Sequence, residues 1–81
     1  FGIYMSSGYV LVNVEPGAET SVFDKLSKLS FVSDIDHLFG DYDIIIKVEA
    51  DGIGVIAGMV VDSIRSIPGI SNTKTLACAE F

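Results

Sequence analysis

The chain has one cysteine, one histidine, no tryptophan and only five basic residues, set against eleven acidic ones for a formal net charge of −6. Each scarcity removes a class of function. Cys78 alone cannot close an internal disulfide, and with His37 as the one histidine there is no Cys/His spacing to hold zinc, so neither redox nor metal chemistry is supported and no cofactor is expected. Affinity for nucleic acid comes largely from Lys and Arg displacing counterions from phosphates. Here Lys25, Lys28, Lys47, Arg65 and Lys74 are scattered, without a cluster or interleaved aromatics, and direct nucleic-acid binding is not expected. No apolar run approaches the roughly 20 residues that cross a bilayer. Phe1-Gly2-Ile3-Tyr4 has neither the basic start nor the long apolar stretch of a secretory signal, which points to a cytoplasmic protein. Met5-Ser6-Ser7 resembles a natural start, which makes the first four residues a remnant or an upstream extension.

Apolar surface is what the chain has in excess. Of its 81 residues 49% are apolar, and a chain of this size buries only roughly 60% of the surface its unfolded form exposes. One small core does not hide so much, and association between copies is the simplest way to cover the remainder.

The pattern along the chain gives six elements. Gly8 to Val14 reads as a strand, with Val10, Val12 and Val14 on one face and Tyr9, Leu11 and Asn13 on the other. Glu15-Pro16-Gly17 stops it. Val22, Phe23, Leu26 and Leu29 follow at helical spacing, with Glu19 near the start and Lys25 and Lys28 near the end, as the helix dipole favours. An extended Phe31 to Phe39 places Phe31, Ile35 and Phe39 on one face and Asp34 and Asp36 on the other, and Asp43 to Glu49 is a β-branched run too brief for a stable helix. Asp51 is an N-cap candidate for a second helix carrying the stripe Ile53, Ile56, Val60, Ile64 and Ile67. The opposite side of that helix is also apolar, through Val55, Ala57, Met59 and Val61, and its Gly54 and Gly58 would let another backbone approach closely. Pro68-Gly69 ends the helix, and Ile70 to Glu80 reads as the last strand.

The order β-α-β-β-α-β is that of the ferredoxin-like α+β sandwich: a four-stranded antiparallel sheet with two helices on one face. The other face stays open. Because Tyr9, Leu11, Leu76 and Cys78 make it apolar, a second copy of the chain is expected over it, sheet against sheet or edge to edge, in a dimeric barrel-like assembly.

Between the two middle strands lies Phe39-Gly40-Asp41-Tyr42-Asp43, two carboxylates and a phenol at the tip of a hairpin. Gly40 can adopt positive φ and Asp41 can bond its own backbone, so the turn is explicable without a ligand. A tip of this composition can also hold a small amine-bearing molecule.

Three blocks, Tyr9-Val-Leu-Val-Asn-Val-Glu-Pro-Gly17, His37-Leu-Phe-Gly-Asp-Tyr-Asp-Ile-Ile-Ile-Lys-Val48 and Ile64-Arg-Ser-Ile-Pro-Gly-Ile-Ser-Asn-Thr-Lys-Thr75, together resemble the effector-binding (RAM) domain of Lrp/AsnC regulators. The resemblance covers nearly the whole chain, so residues 1–81 are expected to form one such domain. Regulators of this family carry an N-terminal helix-turn-helix, whereas this chain starts at the first strand of the sensor. The expectation is a stand-alone RAM protein or a fragment of a regulator.

The resemblance implies amino-acid sensing and oligomer assembly: dimers through the sheets, octamer-like rings, and a free amino acid held between neighbouring dimers, with a full-length regulator as a further partner. Asp41 or Asp43 would accept hydrogen bonds from the ligand's ammonium, Asp43 being the first choice, and backbone amides from Gly40 to Tyr42 would bind its carboxylate. Thr73 and Thr75 would offer hydroxyls, Ala77 would leave room for a ligand side chain, and Ile53 and Met59 would add apolar walls. Each has a plainer reading, as a turn cap for Asp43, solvent-facing threonines, and core or interface for the wall residues. His37 reads as a partly buried structural histidine, while Leu76 and Cys78 pack in the dimer. An enzyme is the weakest reading, because no nucleophile accompanies the turn carboxylates. A small ferredoxin-like dimeric enzyme and a ligand-free structural adaptor remain as alternatives. ACT-type sensors share the topology, but the three blocks fit RAM better.

Overall fold

The computed structural model describes residues 6–78, and for Met59 the backbone only. Strand β1 (Ser6–Val14) leads into helix α1 (Glu19–Ser27), strands β2 (Val32–His37) and β3 (Ile44–Ala50), a second helix, and strand β4 (Ile70–Ala77). All strand pairings are antiparallel and the sheet order is β2-β3-β1-β4. This is the ferredoxin-like sandwich, with the first strand in the middle of the sheet and β2 and β4 at its edges.

Period-2 alternation decides which side of each strand is buried. Val10, Val12 and Val14 of β1 and Ile44, Ile46 and Val48 of β3 form the floor of the core. Val22 and Leu26 of α1 and Ile56, Val60 and Ile64 of the second helix cover it. The second helix lies close over β1 at Gly8, where a Cβ would stand 3.5 Å from Ile56 Cγ2 and 3.1 Å from the Leu76 carbonyl oxygen.

Two Pro-Gly turns join helices to strands and touch each other. In Glu15-Pro16-Gly17-Ala18 the Ala18 N–H donates to the Glu15 carbonyl at 2.9 Å; in Ile67-Pro68-Gly69-Ile70 the Ile70 N–H reaches the Ile67 carbonyl at 3.4 Å. Gly17 and Gly69 have φ of 88° and 98°. Proline second and a positive-φ glycine third is the arrangement of a type II turn. The Glu15 N–H donates to the Gly69 carbonyl at 2.7 Å, tying one turn to the other.

Several expectations are corrected. The second helix is not uniformly α-helical: Ile53–Val55 (α2) leads into a π-helical turn, Ile56–Val60, and then Val61–Arg65 (α3). Ile56, Val60 and Ile64 of the expected stripe are buried through this turn, whereas Ile53, the first residue of the helix, is half exposed. Its N-cap is Gly52, not Asp51, and no side chain caps it. The strand read as Phe31 to Phe39 ends at His37, and its register against β3 shifts between Val32 and Asp34. The alternation that set Phe39 on the face of Ile35 stops with the strand at His37, and Phe39, two residues beyond, is fully exposed. The Gly40 segment is thus a six-residue connection, 38–43, and β3 begins after Asp43. His37 is exposed and stacks on Phe23, with centroids 4.2 Å apart and rings 10° from parallel. The last strand stops at Ala77, and Glu80, placed in it by the sequence, lies outside the described residues, as does the start expected at Met5.

Candidate functional site

The connection 38–43 is fixed to the middle of the sheet by three hydrogen bonds. The Leu38 N–H donates to the Asp43 carbonyl at 2.9 Å, and the Asp43 N–H donates to the Val12 carbonyl at 3.0 Å. The Val14 N–H donates to Asp43 Oδ2 at 2.9 Å in a partly buried position. Beyond its pairing with Ile44 at Val12, β1 would leave the Val14 amide without a strand partner on that side; the Asp43 carboxylate supplies one. Asp43 is therefore a fold-building residue with one oxygen committed to the backbone. No sequence signal revealed this bond, because its donor lies 29 positions away.

The rest of the connection is uncommitted. Gly40 has φ 115°, with open space around it. Asp41 is exposed, Tyr42 is half-buried, and among the described residues neither side chain has a hydrogen bond or ion pair. The N–H groups of Gly40, Asp41 and Tyr42 likewise donate to no group of the chain among the described residues. Beside them stands the bare ring of Phe39.

Thr73, Thr75 and Ala77 lie on the other edge of the sheet. They pair with Val12, Val10 and Gly8, so they share the helix-covered side of β4. Both threonines are half-buried and Ala77 is exposed. Ile53, at the start of the second helix, follows the far end of β3 from the Gly40 connection. Seven residues of β3 separate those ends by about 20 Å.

Thus one chain does not gather its candidate residues. Gly40, Asp41, Tyr42 and Asp43 sit together at one end of the sheet. Ile53 and Ala77 belong to the opposite end; Thr73 is level with Ile44, at the end of the connection but across β1 from it, and Thr75 lies between the two ends. Met59 lies on the π-helical turn, its side chain outside the described part.

Among the described residues, concavities include one that Thr73 helps to line and one on the uncovered sheet face. A cleft of about 290 Å³ is lined by Arg65, Ile70, Ser71, Asn72 and Thr73 beside the β4 edge. A smaller hollow, about 80 Å³, opens on the uncovered sheet face between Tyr9, Asp34, Asp36, Ile45 and Lys47. Among the described residues, no three His, Cys, Asp or Glu side chains are grouped to hold a metal ion, and no helix is long and apolar enough to cross a membrane.

A ferredoxin-like sheet with a bare apolar face, a Gly-Asp-Tyr-Asp connection and an Ile-Pro-Gly-Ile turn is the architecture of a ligand-binding domain of transcription regulators. The family model of the Lrp/AsnC ligand binding domain matches residues 7–80, and the chain belongs to that family. The HTH-type transcriptional regulator FL11 of Pyrococcus horikoshii is 29% identical over 73 residues, 90% of this chain and 48% of the regulator. The homocitrate synthase of Sulfurisphaera tokodaii is 36% identical over 56 residues, 69% of this chain but 12% of the enzyme. Among solved structures, FFRP-DM1 superposes with a TM-score of 0.84 at 28% identity, covering 91% of this chain and 99% of that one. The Neisseria meningitidis regulator NMB0573, solved as an L-Met complex, superposes with a TM-score of 0.80 at 14% identity over 93% of this chain and 50% of its own. The chain spans about half the length of the curated regulators it matches.

Proposed function

We propose that this chain is a single amino-acid-sensing and oligomerisation module of Lrp/AsnC-type transcription regulation, working in the cytoplasm without catalysis of its own. A free amino acid binds where copies meet. The observation that carries this reading is the division of the candidate residues between opposite ends of the sheet. A pocket that combines the Gly40 connection with Ile53, Thr75 and Ala77 takes the first from one copy and the others from a second.

The roles follow from what the fold leaves unused. Asp41 accepts hydrogen bonds from the ligand's ammonium, and the idle amides of Gly40 to Tyr42 receive its carboxylate. Asp43 holds the connection in shape and offers its second oxygen. Phe39, exposed at the same point, packs against the neighbouring copy. The L-Met complex of the Neisseria regulator supports an amino acid as the ligand class, and the half-length match to FL11 supports co-assembly with full-length regulators. The stretch shared with homocitrate synthase is one-eighth of that enzyme and supports a module attached to different partners rather than a catalytic core.

Thermal stability and light-scattering mass against a panel of the common amino acids test the proposal, with Asp41→Asn and Thr75→Val beside the parent chain. A few amino acids should raise the melting temperature or shift the mass, and both variants should lose the response while keeping the parent's ligand-free stability. A stable oligomer indifferent to the whole panel refutes sensing and leaves an assembly adaptor.

A further inference from the structure

The end of α3 and the start of β4 enclose the cleft of about 290 Å³ lined by Arg65, Ile70, Ser71, Asn72 and Thr73. The pairing of β4 with β1 slips between Asn13 and Val14, which leaves Ser71 without a partner on β1. A bulge of this kind re-aims side chains at a strand edge. Ser71, Asn72 and Thr73 line one cleft in succession, where regular alternation would turn Asn72 away from its neighbours. The Ser71 hydroxyl is spent on the bulge, donating to the Asn13 carbonyl at 3.3 Å. The side chains of Arg65, Asn72 and Thr73 make no hydrogen bond or ion pair among the described residues, although Asp62 stands one turn before Arg65 on α3. The backbone adds a further donor. The Cys78 N–H donates to the Ser7 carbonyl, and the side to which amides point alternates along an antiparallel strand. Those of Leu76, Lys74 and Asn72 therefore face β1, and that of Thr73 faces outward at the edge.

Unspent donors and no carboxylate line this cleft, in a chain whose formal net charge is −6. We propose that it binds a small oxyanion, the carboxylate or phosphate group of a soluble metabolite, with the Arg65 guanidinium making the paired contact and the Asn72 amide, the Thr73 hydroxyl and the Thr73 N–H completing it. The planar fork of a guanidinium matches two oxygens of either group. The ligand is small for two reasons. The volume lies at the lower end for small-molecule pockets, and one cation in an acidic chain holds a single anionic group but not a phosphate polymer, whose affinity needs several cations. The cleft is separate from the amino-acid pocket proposed above. Thr73 stands four residues, about 13 Å, from Ala77 along β4, and β1 lies between it and β3, which the Gly40 connection enters. The two also differ in sign: the connection offers carboxylates to an ammonium, whereas the cleft offers a guanidinium to an anion. One copy of the chain builds the cleft by itself, and neither site needs the other.

Calorimetric titration of the whole chain tests this, with sodium phosphate and disodium succinate as probes and sodium chloride at equal ionic strength as the blank; thermal melting in the same solutions gives a second readout. At least one probe should bind beyond the blank. Succinate alone identifies the carboxylate as the ligand group, and phosphate alone the phosphate ester. Arg65→Gln should weaken the binding by about tenfold or more, the loss expected for hydrogen bonds to a charged group. Arg65→Lys, which keeps the charge but not the fork, should fall between the two, and Thr73→Val should weaken binding several-fold. Circular dichroism confirms that the variants are folded. Arg65→Gln should answer the amino-acid panel as the parent does. If neither probe gives heat or a melting shift beyond chloride, or if Arg65→Gln binds like the parent, the cleft is not an anion site. If Arg65→Gln also loses the response to amino acids, the cleft belongs to the amino-acid pocket and a separate site is refuted. A parent chain indifferent to amino acids that binds an anion through Arg65 refutes sensing of amino acids and upholds the anion site.

Discussion

Replacing Asp43 by alanine should destabilise the domain strongly even where no ligand is present. The substitution removes the acceptor of the Val14 N–H, a 2.9 Å bond to a carboxylate in a partly buried place. Hydrogen bonds to charged groups contribute about 1.5–3 kcal/mol. The flanking bonds from Leu38 and to Val12 use only the Asp43 backbone and survive the change. A loss of about 2 kcal/mol is expected, out of a total of roughly 4–12 kcal/mol for 81 residues at the usual stability per residue. At about 4–8 °C per kcal/mol, the melting temperature should fall by about 8–16 °C. Asp43→Asn keeps an oxygen in the same place and should cost about 1 kcal/mol or less. Urea unfolding of all three proteins at one fixed protein concentration measures the differences, the fixed concentration being needed because assembly contributes to stability. Alanine and parent agreeing within about 0.5 kcal/mol would refute the assignment of Asp43 to the fold. The consequence for ligand tests is direct: a lost response in Asp43→Ala would mix a collapsed connection with a missing contact, whereas Asp41 carries no such load.

Gly69→Ala should cost about 2–4 kcal/mol by chemical denaturation, since a Cβ there meets Ala18 Cβ at 2.8 Å and Val22 Cγ2 at 3.0 Å on a φ of 98°. A cost below about 1 kcal/mol would mean that the two Pro-Gly turns are not packed as described. Ile64→Ala, at a fully buried position, should cost about 2–5 kcal/mol in the same assay. Gly58→Ala faces open space and should raise helix stability by up to about 1 kcal/mol. If instead it lowers both stability and light-scattering mass, the outer side of the second helix is an interface rather than a free surface.

The parts of the fold legible in the sequence are those in which a single periodicity persists. β1 alternates, so its buried valines follow from the pattern; β3 reads as a strand from its β-branched run, but Ile44-Ile45-Ile46 does not tell which side is buried. The α1 stripe and the two Pro-Gly stops are equally local. Where an element stops, the pattern misleads. β2 ends at His37, which leaves Phe39, expected on the face of Phe31 and Ile35, in solvent, and Ile53, expected in the stripe, stands half exposed at the first position of the helix. For the candidate site, the sequence nominates residues but does not give their arrangement. That Gly40 and Ala77 belong to different ends of the sheet depends on strand order, and the tie between Asp43 and Val14 depends on which strands become neighbours.

The central place of β1 also bears on synthesis. Its pairing with β4 is the last strand pairing of this sheet to become possible, because Ile70 follows Val14 by 56 positions. At about 5–20 residues per second, the ribosome takes roughly 3–11 s to supply them. Throughout that interval the nascent first strand has an open edge flanked by valines and leucine, the template on which unrelated strands add. A sheet that begins with its middle strand can close only after the final segment has emerged. The hazard of misassembly is therefore concentrated in the seconds before β4 emerges rather than in the closed sheet.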